Sequence, residues 1–326
     1  MRPFFLLLFY LLLVGVCSGQ SDRQILRKIT EHADSSSQVM TTVRYLADVY
    51  GPRMLGTPQY YESAQWAKKL LEQWGVKGVK LESFDQNYLG WTTEGFHFEM
   101  IEPSYASLRA YPLAFSQSSQ GRQRGKPVLI DAFNEIYQLA GKLQGKIIFL
   151  RGYYRPVSNV ERKMSNRLEE NVLLRAAANP DPNDVIVGYH SRRSTVDVFG
   201  RRARIKRERT KFFKFCAEQG AIAIVEPSDF PYGILHADGN RAIPSLHEAG
   251  DIKPLPAFAL SNEHFGRIVR LMDLGIIPEI DLNLKATFYE NPKYNVNLIA
   301  EIPGTDPTLG EEVVIIGAHL DSWHAG

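Results

Sequence analysis

Cysteine is nearly missing from this chain: 326 residues contain two, Cys17 and Cys216. A disulfide framework is therefore excluded, and core packing must hold the fold together. Charge of one sign is missing too. Against 38 Lys and Arg stand 36 Asp and Glu, a formal charge of +2 that carries no message about nucleic-acid or membrane partners. No Gly-x-Ser-x-Gly elbow occurs, so serine-based catalysis of that kind has no support. Gly-rich phosphate loops and internal repeats are absent as well.

What is present begins with an address. Met1-Arg2-Pro3 precedes the apolar run Phe4 to Val14, and small residues follow up to Gly19. One positive charge, a short apolar core and a small-residue exit describe a secretory signal peptide, residues 1–19, cleaved near Gly19-Gln20. That core is short of the roughly 20 residues a bilayer span requires. The expected location is secreted or periplasmic, with no stable membrane span after cleavage. Cys17 keeps a lipid-anchored form open as a minor alternative, although Val16 before it is bulky for that processing. Cys216 then becomes the sole cysteine of the mature chain. It lies in the apolar helical context Phe212-Phe213-Lys214-Phe215-Cys216-Ala217 and reads as an inert buried thiol.

Hydrophobic content of 44% and charged content of 23% are ordinary for a globular chain, and the length suggests roughly two domains of about 150 residues. From Gln24 to about Tyr50 the pattern is helical, with Ile25, Ile29, Val39, Val43, Leu46 and Val49 on one expected buried face. Gly51-Pro52-Arg53 ends it. Thr57 and Pro58 then supply an N-cap and a first helical position for a helix to Trp74, which Gly75 terminates. Strands are expected at Val76–Phe84, Thr93–Ile101, Lys126–Asp131, Lys146–Arg151, Ala221–Val225, Leu255–Leu260, Leu282–Phe288 and Tyr294–Ile302. Helices are expected over Arg201–Gly220 and up to Leu274. The character changes near Glu102-Pro103 and returns near Pro292, which suggests an inserted module. The division is 20–103, then 104–292, then 293–326.

The chemistry is concentrated late. Val313-Val314-Ile315-Ile316 runs into Gly317-Ala318-His319-Leu320-Asp321-Ser322-Trp323. An apolar, β-branched run of this kind reads as a buried strand of a parallel sheet, and open parallel sheets place ligand sites at the carboxyl ends of strands. His319 is the candidate metal ligand. Asp321, two residues on, shares its face and is the candidate carboxylate that orients the imidazole. His324, in the loop beyond, is expected to face solvent. The basic group Arg192, Arg193, Arg201, Arg202, Arg204, Lys206, Arg207, Arg209, Lys211 and Lys214 reads as a solvated helical face rather than a nucleic-acid surface. The other histidines are scattered without ligand spacing.

With these residues in view, the chain resembles the M28 family of zinc peptidases, and within it the carboxypeptidase Q-like (plasma glutamate carboxypeptidase-like) members. The resemblance is carried by Tyr50-Gly51-Pro52-Arg53 with Gly56-Thr57-Pro58, by Asn295-Val296-Asn297-Leu298-Ile299-Ala300-Glu301-Ile302, and by Gly317-Ala318-His319-Leu320-Asp321-Ser322-Trp323. It implies an α/β fold: a zinc-exopeptidase-type mixed sheet with flanking helices, interrupted by a protease-associated α+β insert at 104–292. It implies two Zn2+ ions per intact active site, with His319 as a zinc ligand and Asp321 as the supporting catalytic-site carboxylate. The implied substrate is a short peptide or dipeptide, with no nucleic-acid partner and with a homodimer left open. The family's remaining metal ligands have no counterpart before Gly326, so the expectation is an N-terminal, inactive portion of a peptidase. A non-catalytic binding protein on a peptidase-like scaffold, using the insert for interactions, stays open as the alternative.

Overall fold

The computed structural model describes residues 23–84, 88–156, 169–178, 195–237, 254–310 and 312–325. The signal-peptide segment, Arg192, Arg193, His190 and His247 lie outside them, as do the side chains of Arg201, Arg202 and Lys206. The chain divides into two compact units, Met1–Gly51 and Pro52–Gly326. In the first, residues 23–36 form helix α1 and Val39–Arg44 form α2, which continues into a π-helical turn at Tyr45–Val49. The helical expectation holds here but the burial does not: Ile25, Ile29, Val39, Val43 and Val49 are all exposed. Among the described residues this unit holds only these short helices, and they leave the stripe unburied.

The second unit opens with helix α3, Pro58–Gln73. Thr57 caps it by accepting the Tyr60 N–H at 3.3 Å, and Gly75, with φ +81°, ends it. Gly56 earns its place by contact: a Cβ there would sit 2.7 Å from the Tyr88 carbonyl oxygen and 2.9 Å from the Gly90 nitrogen. Strand β1, Lys77–Ser83, pairs antiparallel with a late strand, Val296–Glu301. Tyr60 and Ala64 of α3 pack on that pair through Val296.

The larger sheet has eight strands. In chain order they are β2 (Gly90–Glu102), β3 (Ala106–Ser107), β4 (Ala110–Pro112), β5 (Gln123–Ile130), β6 (Lys146–Leu150), β7 (Ala223–Pro227), β8 (Ala257–Leu260) and β9 (Glu279–Tyr289); the partner of β1 is β10. Their spatial order is β3-β2-β9-β5-β6-β7-β8-β4, so β2 shares a sheet with the strands of 104–292. Strands β5 to β8 run parallel, and the outer pairings are antiparallel. Three further helices accompany the sheet: α4 (Glu170–Ala178), α5 (Thr195–Glu218) and α6 (Asn262–Asp273).

Period-two alternation explains how this sheet is covered. Ile147, Phe149, Ala223, Val225, Phe258 and Leu260 join Phe265 and Ile268 of α6 in one core. Their neighbours Ile148, Leu150, Ile224, Ala257 and Ala259 point the other way, to Phe212, Phe213 and Cys216 of α5. Burial pushes the Cys216 thiol up to about 12, so the inert reading of this cysteine stands. The mixed α/β fold is as expected.

Two expectations fail. The run Val313–Ile316 is not a strand: these four side chains are 81%, 90%, 86% and 95% exposed, and no described strand pairs with them. A strand needs a ladder partner as well as an apolar sequence, and the described sheets end elsewhere. The basic face of α5 is also not wholly solvated. Glu226 projects from β7 on the α5 side, and a buried carboxylate needs a cation. Arg209 supplies it, 2% exposed, ion-paired with Glu226 and lying over the Phe133, Tyr153 and Phe213 rings. Arg207 and Lys211 do remain exposed. Among the described residues no helix is long and apolar enough to cross a membrane.

Candidate functional site

Tyr60 of α3, Phe84 just beyond β1, Asn297 and Leu298 of β10 and the stretch Gly317–Asp321 line a cleft of about 700 Å3. Leu55, Tyr60, Phe84 and Leu298 give the cleft its apolar lining. Tyr60 is fixed there because its hydroxyl donates to the Val296 carbonyl at 2.6 Å. Burial, with a smaller contribution from the Asp321 charge, holds its phenol above the usual range, so it stays protonated as a donor.

Leu320 packs against the Tyr60–Val296 cluster, and His319 and Asp321 line the cleft beside it. His319 Nδ1 lies 2.8 Å from Asp321 Oδ1. A carboxylate can only accept, so Nδ1 carries a proton, and in the neutral form of the ring Nε2 then keeps its lone pair. The imidazole side chain is 93% exposed, with Asp321 at 37%. An oriented, neutral imidazole presenting Nε2 is the form in which histidine binds a metal, with the carboxylate fixing its tautomer.

The placement of the pair corrects one expectation. His319 and Asp321 share a face, as the spacing requires, but no strand carries them: residues 312–323 have no regular structure. The chain is fastened instead from behind. Arg53 N–H donates to Ser322 Oγ at 2.9 Å, Ser322 N–H donates to the Arg53 carbonyl at 3.0 Å, and Arg53 Nε donates to the Leu320 carbonyl at 3.1 Å. His324 is the next fastening. It is 5% exposed rather than solvent-facing, its Nε2 lies 3.0 Å from the Pro112 carbonyl, and its own carbonyl accepts from the Tyr111 hydroxyl at 3.1 Å. Its ring meets Trp91 edge-on at 5.6 Å. The Pro112 carbonyl takes the ring nitrogen, the Tyr111 hydroxyl takes the backbone carbonyl, and the Trp91 indole lies beside the ring, which together hold His324 in place of water. With Nε2 donating to a carbonyl, that nitrogen is unavailable to a metal. Trp323 stacks on His236 at 5.8 Å and 20°.

Neither Arg53 nor Tyr60 was assigned a site role from the sequence. The Gly51-Pro52-Arg53 motif marked the place, but bonds across more than 260 residues leave no local signature. Taken as a donor set, the cleft fits part of a metal centre: one imidazole and the carboxylate that orients it. Among the described residues no group of three or more His, Cys, Asp or Glu side chains converges to complete it.

No family model matches the chain. Carboxypeptidase Q of Mus musculus is 21% identical over 345 aligned positions, covering 99% of this chain and 62% of that protein. Among solved structures, a peptidase M28 precursor from Shewanella amazonensis superposes with a TM-score of 0.55 at 23% identity, over 93% of this chain and 58% of that one. An aminopeptidase from Aneurinibacillus sp. strain AM-1 aligns at a TM-score of 0.42 and 15% identity, over 86% of this chain and 52% of that one. The chain thus spans about three-fifths of the length of the first two relatives. The chain is thus similar in sequence to carboxypeptidase Q and shares its fold with the M28 peptidase precursor.

Proposed function

We propose that this chain belongs to a secreted, zinc-dependent exopeptidase that hydrolyses short peptides or dipeptides, with His319 as a zinc ligand and Asp321 as the carboxylate that orients it. The observation that carries the reading is the 2.8 Å His319–Asp321 contact at a cleft whose other wall is apolar. Two ions per complete site, and a protease-associated insert at 104–292 between the parts of the peptidase layer, belong to the same proposal. In a completed donor set the zinc would supply a polarised carbonyl and an activated water. This chain's own share is narrower. Asp321 holds the proton on His319 Nδ1, Nε2 faces the cleft, and Tyr60, Leu55 and Leu298 exclude water from one side of a bound peptide.

The incomplete donor set among the described residues favours a second reading, a binding protein on the same scaffold. Zinc titration of the chain with 15N-labelled histidine separates the two. The enzyme reading expects the His319 Nε2 resonance to shift or broaden on Zn2+ addition, with the effect lost in His319→Ala. No response at millimolar zinc would sink the ligand assignment. Because no third His, Cys, Asp or Glu converges on this pair among the described residues, dipeptide hydrolysis by the 326-residue chain alone is expected to be absent. Chelator-sensitive turnover would show that the donor count is wrong.

A further inference from the structure

The Gly51-Pro52-Arg53 motif has no part in the proposal above, yet Arg53 touches both peptide units that flank Asp321. We propose that Arg53 is the positioning residue of the His319–Asp321 pair, fixing the carboxylate so that it selects one imidazole tautomer. This rests on the metal-ligand reading only for the purpose the pair serves.

Three observations support it. The approach to the pair is unsupported, since Val313–Ile316 are exposed and unladdered. Beyond Asp321 the reciprocal bonds between the Arg53 backbone and Ser322 act as a two-bond bridge, and Arg53 Nε reaches back to Leu320. Asp321 is therefore bracketed by contacts to a single residue. The Arg53 guanidinium, half-buried, also lies within electrostatic reach of the Asp321 carboxylate. Arginine suits the post because its guanidinium plane aims one N–H at a carbonyl while its charge stays beside the carboxylate. Lysine would carry the charge without that fixed direction.

The test is the tautomer of His319, read from ring 15N shifts at a fixed pH where the ring is neutral, with a 19F label on tryptophan to follow Trp323. The whole chain is compared with Arg53→Ala, Arg53→Lys and a distant control, Arg151→Ala. Wild type and R151A are expected to show a single Nδ1–H tautomer and one Trp323 line. R53A is expected to lose the single-tautomer signature, and R53K to recover it in part. Unchanged His319 shifts in folded R53A would overturn the proposal. If R53A does not fold, Ser322→Ala carries the same test by deleting the Oγ that accepts from the Arg53 N–H and donates to the Trp323 carbonyl, and a wild-type signature there overturns the proposal equally. Failure of the zinc titration with a changed tautomer in R53A would sink the peptidase reading and leave the positioning role standing.

Discussion

Two histidine–aspartate pairs in this molecule share one distance and differ in everything around it. His97 Nε2 lies 2.8 Å from Asp281 Oδ1, and His319 Nδ1 lies 2.8 Å from Asp321 Oδ1. Asp281 is fully buried on β9, where Arg122 Nε meets Oδ1 at 2.7 Å and Arg124 Nε meets Oδ2 at 2.9 Å. Three donors converge on one carboxylate, so the pair locks β2, β5 and β9 together. Asp321 faces a cleft with its histidine almost wholly in solvent. The same contact is a rivet in one place and a presentation device in the other. What decides is which partner is buried, and which ring nitrogen is left over.

That contrast can be broken at its strong end first. Asp281→Asn keeps one acceptor but turns an NH2 donor toward Arg124, in a buried position. Charge-assisted hydrogen bonds contribute about 1.5–3 kcal/mol each, and the other donors partly rearrange. A loss of roughly 3 kcal/mol in denaturant unfolding is expected; a loss under about 1 kcal/mol would mean that the cations do not rely on this carboxylate. Acid titration gives the next effect. Burial pushes the Asp281 carboxyl up, but hydrogen bonds from Arg122, His97 and Arg124 outweigh it and hold the pKa down from 3.8 to about 2. The folded value is the lower one, so this stabilisation is complete above the ordinary carboxyl range. It is lost as pH falls through the interval from 3.8 to about 2. The amount is roughly 2 kcal/mol, and the corresponding slope should vanish in D281N. His97→Ala, which removes one donor of three and leaves both arginines, is expected to cost about 1 kcal/mol.

The same split between local pattern and distant partner explains what the sequence disclosed. Strands β6 to β8 were legible because a short continuous apolar run marks a strand covered on both faces, wherever its partners lie in the chain. Ile147 and Ile148 were bound to face opposite ways. The start of α3 was legible because Thr57 and Pro58 act within one turn. Val313–Ile316 has the composition of β6, yet it has no described neighbour to pair with, and no composition can supply one. Arg209 looked like its exposed neighbours until Glu226 of β7 drew it inward. At the site, His-x-Asp at the end of an expected strand singled out His319 and Asp321; the two side chains are in contact, but the strand is not there. How they are held was not legible, because Arg53 meets Leu320 and Ser322 from more than 260 residues away, and each of those bonds uses a backbone group that every sequence has.

The smallest expected effect sharpens the comparison most. Asp321→Asn removes a partly exposed carboxylate from a partner in solvent, so its stability cost should stay within about 0.5 kcal/mol, against roughly 3 for the buried counterpart. Its chemical effect should be the larger of the two. An asparagine can turn either its oxygen or its NH2 toward Nδ1, so it no longer dictates which nitrogen carries the proton. The His319 ring 15N shifts should then report a mixture, while those of His97 stay where they were. If D321N cost as much as D281N, the pair at the cleft would be part of the scaffold, and the difference between rivet and presentation device would collapse.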